Sequence, residues 1–236
     1  MKNEKKITFH EILWYFIIFS IIGLIIETIY CLVTTGILES RKGLLWGPFC
    51  PVYGVGATVL ILCLNRVDSR NSFELFIYGF LLGSLIEYLM SYVLEAVYSI
   101  RFWDYTYTGT SINGRICVPY SIFWGILAVF LIKIAKPLID KWINKMSKKS
   151  MKIVDFLAVI FFIADVLVTI WAIKTYENRA IEKYYQIDNS KGIYDEQSFK
   201  HKVEENYFTT ERMKKTFPNL RIKDEDGKEI WIKTLF

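Results

Sequence analysis

An all-α integral membrane protein of five transmembrane helices, with a duplicated two-helix unit and a small soluble α+β tail, is the fold class this sequence predicts. Three observations predict it. Hydrophobic residues make up 53% of the 236 residues, and mean hydropathy is positive. Apolar residues gather into runs of about 20, the length that crosses roughly 30 Å of hydrocarbon as a helix; five stretches qualify, near 12–34, 48–65, 73–98, 117–135 and 153–173. Finally, two stretches repeat each other. Residues 16–27 align without gaps on 76–87, pairing Gly23 with Gly83 and Glu27 with Glu87, and Gly43 to Ala57 aligns on Gly114 to Ala128. Between the two blocks the register moves from 60 to 71, so the second copy carries an insert in the connection between its helices.

The elements follow in order. Residues 1–11 are a polar lead bearing Lys2, Lys5 and Lys6, and residues 12–65 are the first repeat of two spans. The first span is too long, and too poor in a small-residue cleavage site, for a removed signal peptide. A short inner loop, 66–72, carries Arg66 and Arg70, and residues 73–135 form the second repeat. A basic inner loop, 136–152, includes Lys141 to Lys152, a stretch with the amphipathic pattern of an interfacial segment. The fifth span covers 153–174, and the tail covers 175–236. In that tail, Asp195 to Thr216 reads as helix, and Arg221-Ile-Lys and Lys228 to Lys233 read as a hairpin turning at Asp226-Gly227.

Lysine and arginine concentrate in the lead and in the second and fourth connections, which places the N-terminus in the cytoplasm and the tail on the extracytoplasmic side. The net charge of +5 is largely this inner cluster. It suits anionic lipid headgroups, not nucleic acid, because no basic stripe with interleaved stacking aromatics accompanies it. Trp14, Trp46, Trp103, Trp142 and Trp171 fall near span ends, as an interfacial belt requires. Cys31, Cys50, Cys63 and Cys117 come without a CxxC, and His10 and His201 are the only histidines. That inventory offers no metal site, and the cysteines read as small apolar fillers ahead of a Cys50–Cys117 disulfide.

Glu27 and Glu87 are the leading site candidates. A carboxylate in the bilayer core costs several kcal/mol unless paired, hydrated or protonated. Each follows a glycine four residues earlier on the same helical face, and Gly79-x-x-x-Gly83 extends that stripe, so helix packing at Gly23, Gly79 and Gly83 turns the acids toward an interface. They are read as a paired acidic site for a cation or proton, or as a neutral or salt-bridged glue between repeats. Glycines and prolines crowd the entrances of the second and fourth spans, at Gly47-Pro48-Phe-Cys-Pro51-Val-Tyr53-Gly54 and Asn113-Gly114-Arg115 to Pro119. Broken segments in corresponding repeat positions point to a binding or translocation site, or else form tight outer turns. Arg41 and Arg115 stand where they could meet Glu27 and Glu87 as counter-charges or hold an anionic ligand, Asp104 could cap a helix or join the outer site, and Glu95 reads as interfacial. Of the two acids in the fifth span, Asp165 is a secondary candidate for an ion or proton role, whereas Asp155 reads as a water-reachable end-cap.

The motifs Gly23-x-x-x-Glu27, Arg41-x-Gly43, Gly47-Pro48-x-Cys50-Pro51-x-Tyr53-Gly54, and Trp103-Asp104-Tyr105 with Asn113-x-Arg115 resemble an ABC-transporter type IV (CmpB-like) family of small bacterial membrane proteins. The likeness spans roughly residues 12–135, departing where the family shows Asn-Arg-Gly and this chain has Arg41-Lys42-Gly43. It implies a permease served by a separate ATPase. This chain has no GxxxxGK[ST] phosphate loop, so no nucleotide cofactor is expected on it and any ATP would be bound by a partner. Neither HExxH nor GxSxG occurs. Five spans make a small permease, so a homodimer or a partner subunit is expected. The alternatives are an intramembrane enzyme using Glu27 and Glu87 as acid and base, which symmetric carboxylates suit poorly, and a sensor or scaffold using the outer tail.

Overall fold

A computed structural model describes residues 6–65, 67, 71–146, 148–186, 199–224 and 226–236, with the side chains of 148–150 excepted. Lys2, Lys5, Arg66, Arg70, the side chains of Lys148 and Lys149, the first residues of the expected tail helix from Asp195, and Glu225 in the hairpin lie outside the described residues.

Helix α1 runs Phe9–Thr35. Thr8 and Glu11 form a reciprocal cap at its start, the Thr8 N–H donating to Glu11 Oε2 at 2.7 Å, and Gly36, in the left-handed region at φ 71°, stops it. Helix α2, Pro51–Leu64, begins with its proline in the first turn, where a missing N–H costs no hydrogen bond. Helix α3, Ser72–Tyr98, is capped by the Asn71 side chain and ends at Ser99. Helix α4, Val118–Phe130, continues through a π turn at Leu131–Ala135 into α5, Lys136–Ile143. The π turn precedes Pro137, whose ring removes one backbone donor and forces the helix to re-register. Helix α6 runs Lys148–Tyr185, longer than the expected fifth span, and carries the chain out to the tail.

Four of these helices are long and apolar enough to cross a membrane: α1, α3, the α4–α5 run Val118–Ile143, and α6 from Met151. Their exposed side chains are themselves apolar, among them Val33, Leu81, Val97, Ile126 and Leu167, a surface suited to lipid and not to water. The expected second span, 48–65, is instead the 14-residue α2. At 1.5 Å per residue it is about 21 Å long, short of a hydrocarbon core of about 30 Å. Pro48 and Pro51, with Gly47 at φ 65°, hold residues 47–50 out of the helix.

The starts of α1 and α6 and the end of α5 meet at one end of the bundle. Asp155 accepts from Trp14 Nε1 at 2.9 Å and pairs with His10 Nδ1 at 2.7 Å, so it ties α6 to α1 and is not merely an end-cap. Tyr15 donates to Asp140 beside them.

At the opposite end the tail builds a small domain. Helices α7, Phe199–Tyr207, and α8, Thr210–Thr216, replace the single helix expected. The expected hairpin forms as antiparallel β4, Arg221–Lys223, and β5, Glu229–Trp231, with Gly227 at φ 78° in the turn. Strand β4 also pairs with β1, Ile100–Arg101, in the α3–α4 connection, giving sheet order β1-β4-β5. The longer connection of this copy forms a second hairpin, β2, Ser111–Ile112, and β3, Ile116–Cys117, the latter at the start of the repeated block. Buried Tyr176 and Ala180 of α6 share a core with Phe217, Leu220 and Ile222 of the tail, so the small domain is welded to both α6 and the α3–α4 connection.

Candidate functional site

Close helix contact places the two glutamates. A Cβ on Gly23 would lie 2.1 Å from Tyr53 Cβ, one on Gly83 2.5 Å from Trp124 Cβ, and one on Gly79 2.2 Å from Ala128 Cβ. Only hydrogen fits at these crossings, so α2 lies directly on α1 and α4 on α3. One helical turn beyond Gly23 and Gly83, Glu27 and Glu87 emerge on the same faces. Tyr53 donates its hydroxyl to Glu27 Oε2 at 2.6 Å, and Trp124 donates Nε1–H to Glu87 Oε2 at 3.1 Å. The Tyr53 and Trp124 rings stand 6.0 Å apart. Each acid is thus held by the aromatic residue of its own helix pair, and the two aromatics face each other.

The α3–α4 connection adds a donor to one acid only. Tyr105 donates to Glu87 Oε1 at 2.8 Å, its ring stacked on Tyr120 at 4.5 Å, and Tyr120 in turn donates to the Tyr30 hydroxyl at 3.2 Å. Burial, and then the neighbouring carboxylate, raise the Tyr105 phenol far above its ordinary range, so it remains a donor. Glu87 is buried with both oxygens hydrogen-bonded, whereas Glu27 is half-buried and bonded through one oxygen.

Both acids line one cavity of about 690 Å³. Tyr30, Tyr53, Tyr105, Tyr120 and Trp124 surround them, α6 contributes Val166, Ile170 and Ile173, and the tail covers it with Phe217, Arg221 and Trp231. Arg41, Lys42, Lys174 and Asp104 also line it.

The arginines expected as counter-charges make their closest contacts with other residues, although Arg41 also acts through space on Glu27. Arg115 pairs with Glu95 at 2.9 Å and donates to Ser91 at 3.1 Å, because the second hairpin carries it over the last turns of α3. Arg41 donates to Cys31 Sγ at 2.7 Å and stands 4.0 Å from Glu39. Asn113 occupies the hairpin turn at φ 53° and donates to the Tyr88 hydroxyl at 2.9 Å, away from the cavity. Asp165, fully buried, accepts the Trp46 N–H at 3.0 Å and the Thr169 hydroxyl at 3.3 Å, which fastens the 36–50 connection to α6 beside the cavity. Tyr105, Tyr120, Tyr30 and Trp124 were not among the sequence candidates. The register that pairs Tyr53 with Trp124, and Phe49 with Tyr120, held the signal for two of them.

Ion pairs fasten the tail over the cavity. Asp104 pairs with Arg221 at 2.8 Å, and Glu39 pairs with Lys233. Burial tends to raise the Asp104 pKa, but the backbone and hydroxyl of Thr106, with Arg221, outweigh it and hold the carboxyl below its usual value. Lys233 chiefly does the same for Glu39. A carboxyl depressed on folding contributes stability above its unfolded pKa and loses it as pH falls toward the folded one. Hydrogen-exchange protection in β4 and β5, corrected for the intrinsic rate, should therefore be constant between about pH 6 and 8 and decline below about pH 4. Protection that declined instead as pH rose would contradict these pairings.

A family model described as "Putative ABC-transporter type IV" matches residues 14–170, about two thirds of the chain, from α1 well into α6 and short of the tail. Among curated proteins and among solved structures, none matches this chain. With four apolar helices of spanning length, this multi-pass membrane protein belongs to the ABC-transporter type IV family that its glycine, proline and glutamate motifs resemble.

Proposed function

We propose that the chain is a permease-like component of a transport system, binding its solute in the cavity between Glu27 and Glu87. The observation that carries this is the convergence of the two acids, each held by an aromatic residue of its own helix pair, on one cavity of about 690 Å³. In this reading α1–α2 and α3–α4 are copies of one two-helix unit. Equivalent contacts support that: the crossings at Gly23 and Gly83 are matched, and the position of a Cβ on Gly54 or Gly125 falls against the carbonyl of Phe16 or Phe76, residues that are themselves paired in the repeat.

In the same reading α2, prolonged by residues 43–50, completes a fifth crossing. The N-terminus then lies in the cytoplasm, and the tail caps the outer mouth. The placement of the tail against both the 36–50 and 99–117 connections favours this, since one side of the membrane must hold all three. Asp104 and Arg41 act at the rim, Tyr53 orients Glu27, and Arg115, Asn113 and Asp165 support the outer connections. The inner segments 66–72 and 136–152 would meet anionic headgroups and a separate ATPase.

Native mass spectrometry of the gently extracted, chromosomally tagged protein tests the reading. A stoichiometric ATPase subunit is expected. A homodimer without one, retaining a bound amphiphile, would set aside ATP-driven transport.

A further inference from the structure

We propose that the cavity takes a lipophilic organic monocation, its charge seated between Glu27 and Glu87 among aromatic rings and its apolar body lying against α6. The proposal rests on the reading of the cavity as a solute site, and deepens it by naming the solute's chemistry.

Charge balance comes first. The partners of Glu27 and Glu87 are neutral donors: Tyr53 on one, Tyr105 and Trp124 on the other. The cations that line the cavity mostly have acids of their own. Arg221 pairs with Asp104 at 2.8 Å and Lys174 with Glu177 at 2.8 Å, whereas Arg41, 4.0 Å from Glu39, shares that acid with Lys233 and also acts through space on Glu27. Lys42, which also lines the cavity, acts through space on buried Asp165. With Arg41 set against Glu27, the unbalanced charge deep in the cavity is a single negative one, and a carboxylate in low dielectric strongly favours a cation beside it.

The surroundings then decide which cation. A hard ion such as calcium takes six to eight oxygen ligands, but here the space about the carboxylates is walled by aromatic rings. Such rings attract organic ammonium-type cations through their faces, and more strongly once water is excluded. Val166, Ile170 and Ile173 continue the wall in hydrocarbon. A volume of about 690 Å³ is that of a drug-sized molecule, far larger than a bare ion needs.

Tetraphenylphosphonium and tetraphenylborate, ions of matching shape and opposite charge, provide the test. Equilibrium dialysis against the full-length protein in detergent, corrected for empty micelles, should show saturable phosphonium binding and at least about tenfold weaker borate binding. Glu27→Gln with Glu87→Gln should weaken phosphonium binding by at least about tenfold, and Tyr120→Leu, which removes a ring but no charge, by about threefold. Equal binding of the two ions, phosphonium binding indifferent to all three substitutions, or displacement of the phosphonium by calcium at one equivalent would overturn the proposal. So would the absence of any saturable phosphonium binding. Borate bound best and lost in the Gln variants would overturn the cation alone and leave the cavity as a solute site. The ATPase association read by native mass spectrometry judges the carrier reading independently of either ion.

Discussion

Gly54→Ala should lower the thermal midpoint of the detergent-solubilised protein by roughly 10 °C, and Gly125→Ala by a similar amount. An added Cβ at Gly54 would lie 2.1 Å from Ser20 Oγ and 2.6 Å from the Phe16 carbonyl oxygen; at Gly125 it would lie 2.6 Å from the Phe76 ring and 2.9 Å from the Phe76 carbonyl oxygen. A side-chain tip can swing away, but a helix backbone can yield only by moving the whole helix. Overpacking of that kind costs about 1–3 kcal/mol, more when the backbone is the obstacle. In a chain of this size each kcal/mol lowers the midpoint by about 2–4 °C. Between helices in lipid, where van der Waals contact is a main source of attraction, separation by even a fraction of an ångström forfeits much of it. Ser20→Gly in the Gly54→Ala background should restore part of the loss, because the hydroxyl goes and the carbonyl stays. Gly109→Ala is the control: nothing lies within 4 Å of its Cβ position, and its midpoint should not move. If Gly54→Ala melted with the control, the close apposition of α1 and α2 would be wrong.

These crossings were legible in the sequence because close packing leaves a residue-type signature. Gly23 and Gly83 had to be small, with Tyr53 and Trp124, large and able to donate, opposite them, and Gly79 had to be small against Ala128. The four spanning helices were legible for a similar reason, since the bilayer dictates both their length and their composition. The length of α2 was less so. Hydropathy runs on through Phe49 and Cys50, and only Gly47, Pro48 and Pro51 signal that the helix starts late. The closest partners of Arg41 and Arg115 were not legible. Arg115 sits next to a glutamate-bearing helix in sequence order, but which turn of α3 it reaches depends on how the second hairpin folds, and no local pattern encodes that. Glu95 is the clearest case. Its contact with Lys223 joins residues 128 apart, across a tail whose docking is settled by a tertiary core and by no motif.

Glu95→Leu should be the most damaging single substitution outside the helix crossings, at about 3–5 kcal/mol. One oxygen of Glu95 takes Arg101 and, at 2.9 Å, Arg115; the other takes Lys223 at 2.6 Å. The side chains of Arg101 and Arg115 are only 11% and 9% exposed, so removing the carboxylate strands two guanidinium groups with little access to water. Arg115 has the fewer escapes, fixed by Ser91 and by the faces of Tyr88 and Tyr92 with its centre 5.7 and 5.5 Å from their rings. Lys223, 32% exposed, can turn to solvent, so Lys223→Met should cost less than about 1 kcal/mol. The consequence extends to the cavity. Lys223 belongs to β4, which pairs with β1 and carries Arg221 over the site, so loss of Glu95 should also raise the rate at which protease cuts the tail at neutral pH. Adding Arg115→Met to Glu95→Leu should recover most of the lost stability, since the deficit is an uncompensated charge and not a missing contact. If Glu95→Leu were no worse than Lys223→Met, or if the double variant were worse than the single, Glu95 would be a rim acid, and the tail would be held over the cavity by its apolar core alone.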